Sequence, residues 1–483
     1  MSLSLVGLLH PDGVARRARV IGGNCPAQLW PSSDQRGDVR ADLLVLAPTR
    51  RECQRPGWLR SAVEEVEHVL AFDGIVYVLA PPGWRATIGH LLRRLGLRLE
   101  PPMLHLPTWA AGKYLVPLTS TAATYMFAQV LPNPRWKRML ALWALHVRGG
   151  GTLVGGFWPS VALTARRPGG RPLLDWLFRL DGDSSERRCG AISAGWRAED
   201  GSVVVHRFSG ASAPSAVAKV SARSRSKEIA ALRCVAPVAA AAGVQVPRLL
   251  ASGCLGDEDR SVLLQSLVGG ESVASMLLRE PDHLGGVVAS VTIWLERWNA
   301  ATRRSWPVHT ALERFLLEPA ASLLPDRAAY RAWLAARCAR VEQPVPVVAA
   351  HNDLTTWNLL DDGGRLGIVD WEVASVESLP LTDFVYAMTD AVAVARRLDL
   401  PAALRAWLSP LGPEASVVKP NLRRLVARLS LPRDLVDLCL HACFIGHALN
   451  EGAVAPPGGP RPFRQMVEWL ASHREAVRDW IGP

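Results

Sequence analysis

The stretch from Val347 to Glu372 constrains this chain more than any other. It reads Val347-Val-Ala-Ala-His351-Asn-Asp353-Leu-Thr-Thr-Trp-Asn358-Leu-Leu and then Leu366-Gly-Ile-Val-Asp370-Trp-Glu372. The first apolar run is a buried strand that delivers His351 and Asp353 into a loop, with Asn358 five residues further on. Gly363 and Gly364 permit a hairpin, and a second apolar strand ends at Asp370. Two buried strands that merely happened to end in polar residues are a poor account of four of them at these offsets.

Phosphoryl transfer requires parts of this kind. One carboxylate orients the acceptor and takes its proton, while a neutral oxygen and a second carboxylate hold Mg²⁺ against the phosphates. Asp353 is the candidate base, and Asn358 and Asp370 are the candidate metal ligands. The spacing His-x-Asp-x₄-Asn, then an apolar strand and Asp-Trp-Glu, resembles the aminoglycoside phosphotransferase and choline kinase superfamily, relatives of the protein kinases. Leu379-Pro-Leu-Thr-Asp383-Phe matches a further segment of that pattern. Asn352 stands where glycine is commoner, and Thr356 where one subgroup often has proline. The resemblance covers roughly residues 186–400. It implies a bilobal α+β protein-kinase-like fold, Mg²⁺ and ATP (or another nucleoside triphosphate) as cofactors, and His351 as a structural member of the catalytic loop. It also implies a small-molecule acceptor, with Trp357, Glu372 and Asp383 as candidate contacts.

Upstream, Ser202–Phe208 and Ser215–Val220 read as paired strands around a turn containing Gly210. Only five of the chain's 55 basic residues are lysine, so Lys219 in the middle of an apolar strand requires an explanation. Glu228, nine residues later, opens a helical pattern. A strand lysine paired with a helix glutamate would place the ammonium on the nucleotide phosphates; an edge-strand lysine facing solvent is the plainer alternative. Backbone groups from Gln265 to Leu267 are the candidate adenine contacts, and Gly195 is the best candidate for a phosphate-covering loop, since no Gly-x-Gly-x-x-Gly occurs.

Before this region, Asp42–Pro48 and Gly74–Ala80 are apolar strand candidates, alternating with helical patterns at Trp58–Leu70 and about Ala86–Leu95. Strand, helix, strand, helix with continuous apolar strands predicts parallel β-α units, an α/β domain that is partially Rossmann-like. About 60 residues resemble the second half of a class I methyltransferase domain, but Val20-Ile-Gly-Gly-Asn-Cys25 lacks the third glycine of a cofactor loop. A degenerate methyltransferase-like domain with a helical extension is expected over 1–180, a kinase-like N-lobe over 181–268 and a mainly helical C-lobe over 269–483. The polar stretch Arg179–Arg188 is the expected linker, in which Asp181 and Asp183 are solvated.

Composition narrows the rest. With 49% hydrophobic and 20% charged residues the chain is globular, and 483 residues call for two or three domains. A net charge of +11 is mostly arginine, without the interleaved basic and aromatic residues of a nucleic-acid face. Eight scattered cysteines with no Cys-x-x-Cys pair, and a start without signal-peptide features, suit the cytoplasm. The Trp- and Arg-rich stretch Arg135–Val147 reads as a helix packed between domains, with peripheral membrane contact as the alternative, and no segment has the length of a spanning helix. Cys439, His441, Cys443 and His447 have zinc-like spacing, but their apolar surroundings favour a core helix. Beside a small-molecule kinase stand two other functional expectations, an inactive pseudokinase-like scaffold and a bifunctional methyltransferase-kinase.

Overall fold

The structure, a computed structural model, describes residues 6–23, 40–106, 113–127, 161–184, 188–194, 202–211, 213–255, 260–454 and 461–481. It divides into two compact units, Met1–Arg225 with Arg248–Leu267, and Ser226–Pro247 with Val268–Pro483. These do not coincide with the expected segments 1–180, 181–268 and 269–483, and that finer division remains a proposal.

The first unit is mixed α/β and, among the described residues, is built on one sheet of eleven strands. Strand β1 (Ala18–Ile21) pairs in parallel with β2 (Ala41–Leu46), and β2 in parallel with β3 (Leu70–Val78). Leu43, Val45, Ile75 and Tyr77 pack on one face of the sheet, and Leu44, Leu46, Val76 and Val78 on the other. Both faces are covered, which is why these strands read as unbroken apolar runs rather than alternations. The second face is closed by α1 (Trp58–Val69) and α2 (Arg85–Arg94), close to the expected bounds. Helix α1 buries Leu59, Ala62, Val63 and Val66, a stripe at helical spacing, and turns Glu64 and Glu67 outward. Each large side chain of that stripe contributes about 1.5–3 kcal/mol by leaving water.

Strands β4 (Arg98–Leu106), β5 (Tyr114–Pro117) and β6 (Val161–Arg166) pair antiparallel, with β6 inserted between β3 and β4. The sheet continues from β5 through β7 (Cys189–Ala194), β8 (Val203–Phe208) and β9 (Ala216–Ser221). Strand β10 (Leu249–Leu255) is outermost and β11 (Arg260–Ser266) lies between it and β9. The expected linker is drawn onto this sheet. Arg207 donates from both terminal nitrogens to Asp181, at 2.6 and 2.9 Å, and Ser209 donates to Asp183 at 2.7 Å. The polar sequence around this Asp-x-Asp predicts that it is solvated. A guanidinium only 5% exposed has instead captured the first carboxylate, because an unpaired buried charge is costly.

The second unit is mainly helical among the described residues. The helices that bear on the site are α3 (Ser226–Cys234), α4 (Leu284–Thr302), α5 (Thr382–Arg396) and α6 (Arg433–Val454). Two three-stranded sheets accompany them. One joins β12 (Glu271–Ser272), β15 (Leu359–Asp362) and β16 (Arg365–Ile368); the other joins β13 (Arg304–Trp306), β14 (Val345–Ala350) and β17 (Ser375–Ser378). Among the described residues no helix is long and apolar enough to cross a membrane. Gly195, Asn24, Cys25 and the stretch Arg135–Val147 lie outside the described residues.

Candidate active site

Strand β14 is buried at every position and releases the chain into the loop that starts at His351. The His351 ring is fully buried, within 3.0 Å of the Val369 carbonyl through Nε2, and meets Trp371 edge-on at 4.9 Å. Trp371 in turn meets Trp298 of α4, which stacks on Trp294 at 4.6 Å. His351 is thus held by both a hydrogen bond and an aromatic wall.

The loop backbone is fixed from α5. Asp383 accepts the His351 N–H at 2.7 Å on one carboxylate oxygen and the Asn352 N–H at 2.8 Å on the other. Two turns further along the same face, Asp390 accepts both the backbone N–H of Thr356, at 2.7 Å, and its hydroxyl, at 2.6 Å. Thr356 therefore contributes an N–H that proline would lack. Asn352 has φ +62°, a left-handed conformation that glycine adopts freely and asparagine tolerates best among other residues, and its Nδ2 donates to the Val373 carbonyl at 3.1 Å.

The loop sets Asn358 against Asp353, and the hairpin that follows sets it beside Val369. Gly363 and Gly364, at φ +62° and +90°, make the turn, and the register opposes Leu359 to Ile368. One step further, the Val369 N–H donates to the Asn358 carbonyl at 3.0 Å, setting Asn358 beside the residue that precedes Asp370. The Asn358 Nδ2 donates to the Asp353 carbonyl at 2.8 Å and to its Oδ2 at 3.0 Å. With its nitrogen so engaged, the Asn358 amide has its oxygen left to serve as a ligand. Glu228 of α3, Asp370 and Glu372 place carboxylate oxygens within 4.8 Å of one another, and among the described residues no other group of three or more such side chains could hold a metal ion. All-oxygen donors of this charge suit a hard divalent cation such as Mg²⁺. Cys439, His441 and Cys443 form no such group. His441 meets the Tyr330 hydroxyl at 2.6 Å, and both thiols are buried in α6 and pushed up by that burial.

The remaining sequence candidates are placed as follows. Lys219 sits on β9, paired on both sides with β8 and β11, so it is not on an edge strand. Gln265 is on β11 with its side chain 5% exposed, and Leu267 follows that strand. Trp357 is 57% exposed on the catalytic loop. Glu372 joins Glu228 and Asp370, and the two oxygens of Asp383 are taken by loop amides. Asp390 is a functional residue that the sequence pattern does not single out, although its seven-residue spacing from Asp383 puts both carboxylates on one helix face.

Two outcomes test this scaffolding. Burial raises the Asp383 carboxyl from 3.8 to about 6, against the pull of the two amides. A folded value above the unfolded one means the folded protein holds the proton more tightly. The associated stability is complete below about pH 4 and is lost as pH rises through about 6. Asp383→Asn should remove that slope from the Tm–pH curve and should lower kcat at neutral pH, because its amide nitrogen would face an N–H donor. An unchanged slope in the variant would exclude the assignment. Thr356→Val leaves one Asp390 hydrogen bond unmade and should cost about 1–3 kcal/mol in denaturant unfolding; no loss would show that the hydroxyl contributes nothing.

Residues 196–418 match the model of a phosphotransferase enzyme family. Over that segment, somewhat less than half of the chain, the sequence is similar to that family, which supports the phosphotransferase resemblance of the C-terminal part. No curated protein matches the chain significantly. Solved structures similar to it include a thermostable mutant of aminoglycoside phosphotransferase APH(4)-Ia in its apo form, at 15% identity and TM-score 0.40, covering 63% of this chain and 97% of that one. A variant of the same enzyme in ternary complex with ADP and hygromycin B matches at 14% identity and TM-score 0.38, covering 63% and 97%. A further aminoglycoside phosphotransferase, in complex with GDP and kanamycin, matches at 15% identity and TM-score 0.38, covering 62% and 97%. At the level of class, the family match supports a phosphotransferase.

Proposed function

We propose that the protein transfers the γ-phosphoryl group of ATP, or another nucleoside triphosphate, directly to a hydroxyl of a small sugar, polyol or amino alcohol. The observation that supports this reading is that the Asn358 amide donates to Asp353 while the Asn358 carbonyl accepts the N–H of Val369, the residue before Asp370. Asp353 orients the acceptor hydroxyl and takes its proton as the bond to the γ-phosphorus forms and the bond from that phosphorus to the β–γ bridging oxygen breaks, releasing the nucleoside diphosphate with no covalent enzyme intermediate. Asn358 and Asp370 are the residues that would hold Mg²⁺, which when bound neutralises charge on the nucleotide phosphates. Lys219, together with backbone near Gln265 and Leu267, is proposed to bind the nucleotide, and Glu228 to lie with the metal residues. Gly195 stays a proposed loop contact on sequence grounds.

Residues 1–180 are read as a partial Rossmann-like domain that is structural or partner-binding. The parallel β1–β2–β3 pairing supports this, and the incomplete glycine turn speaks against a working methyltransferase. The place of action is read as the cytoplasm, from the scattered cysteines. The test is thermal stabilisation by ATP with and without Mg²⁺. A shift that requires Mg²⁺ supports a phosphotransferase; no shift under either condition favours a scaffold.

A further inference from the structure

The second unit has a half-open cavity of about 300 Å³ beside the loop that carries Asn352. That volume is at the small end of the ~300–1,000 Å³ typical of ligand sites. We propose that this cavity seats the phosphoryl acceptor, and that the acceptor is an uncharged polyhydroxylated molecule the size of a monosaccharide, with polycations refused. The inference rests on the phosphotransferase reading and narrows it.

Position comes first. Asn352, the residue before the candidate base, lines the cavity together with Val373 and Asp383. His447 of α6 forms another wall and packs on Tyr386 with ring centroids 4.0 Å apart. The Asp353 charge acts on that same Tyr386, adding to burial in raising its phenol. The cavity is thus lined by the immediate chain neighbour of Asp353.

Charge decides the class. A cationic acceptor needs carboxylates with oxygen to spare, and the lining carboxylates are Glu377 and Asp383. Both Asp383 oxygens already accept loop amides. Glu377 is engaged by Arg314 at 3.0 Å and by Arg304 at 3.9 Å. Arg314 itself lines the cavity, so an arriving ammonium meets a like charge. The other titratable groups on the walls are neutral: burial holds His447 down at about 4 and pushes the Cys443 thiol up.

What the walls offer is hydroxyl and amide chemistry. Ser375, Ser378, Thr382 and Asn450 line the cavity beside Asn352. The Ser378 and Thr382 hydroxyls are already linked at 3.1 Å, a short chain that can extend to a ligand hydroxyl. The His447 ring, packed between Tyr386 and Phe463, adds a neutral wall.

The test offers the full-length protein γ-labelled Mg-ATP with glycerol, myo-inositol and glucose as neutral acceptors, and with kanamycin and spermidine as cations. Transfer to at least one neutral acceptor with kcat/KM about 100-fold above either cation is expected. Arg314→Gln, which releases Glu377, should narrow that ratio roughly tenfold. Preference for a cation, or transfer to no neutral acceptor while Mg-ATP still stabilises the protein, overturns the inference and spares the phosphotransferase reading. If Mg-ATP binding itself is absent, both fall.

Discussion

Asp353→Ala should lower kcat on the order of 10²–10⁴-fold, the range that a positioned general base contributes, while leaving nucleotide binding nearly intact. The separation of the two effects follows from the loop's anchoring. Asn358 loses one partner, the Asp353 Oδ2, but keeps the Asp353 main-chain carbonyl at 2.8 Å. The backbone around Asp353 is held by Asp383 on one side and Asp390 on the other, neither of which the substitution touches. The candidate metal ligands therefore stay in place when the base is removed. Single-turnover transfer and nucleotide affinity, measured on the same preparation, check this. Wild-type turnover in the variant would remove the proposed base.

Asp370→Ala should instead abolish Mg²⁺-dependent nucleotide binding. Asp370 stands at φ +67° immediately after Val369, and its carboxylate shares the space of Glu228 and Glu372. Removing it takes away the candidate ligand that belongs to both the hairpin and that acidic group. A nucleotide at a hundredfold excess over its Kd stabilises a protein by about 2.7 kcal/mol, and in the variant that Mg²⁺-dependent gain should vanish. A thermal shift equal to wild type, with Mg²⁺ present, would mean that the cation is held elsewhere. The two variants fail in different ways, one in chemistry and one in binding, and that contrast is the sharper test of the assigned roles.

Much of this is legible in the amino-acid sequence, for physical reasons that differ from element to element. Buried strands such as β2, β3 and β14 announce themselves because covering both faces leaves no room for polar residues. The Gly363–Gly364 turn is legible because few residues other than glycine accept two successive positive φ angles. Lys219 stands out against a chain that hardly uses lysine. Asp390 is hidden because its function is realised only when α5 folds and turns one face to the loop, and a single carboxylate in a helix carries no such mark. The fate of Asp181 is hidden as well, since its partner Arg207 comes from a strand 26 residues away. Arg314 and Glu377, distant in sequence, meet only in the folded unit.

The eleven-stranded sheet has a consequence for how this protein can be divided. Strand β7 is flanked by β5 on one side and β8 on the other, with Tyr114 opposite Ser193 and Leu115 opposite Ile192. A chain beginning at residue 181 would keep β8 but lose β5, uncovering a row of unpaired backbone donors and acceptors along β7. It would also strip the apolar partners of Ile192, Val205 and Ala218, which share one core with Leu43, Tyr77 and Trp176. Separating the first 180 residues from the strand that carries Lys219 would therefore leave that sheet with an open edge and a partly uncovered core.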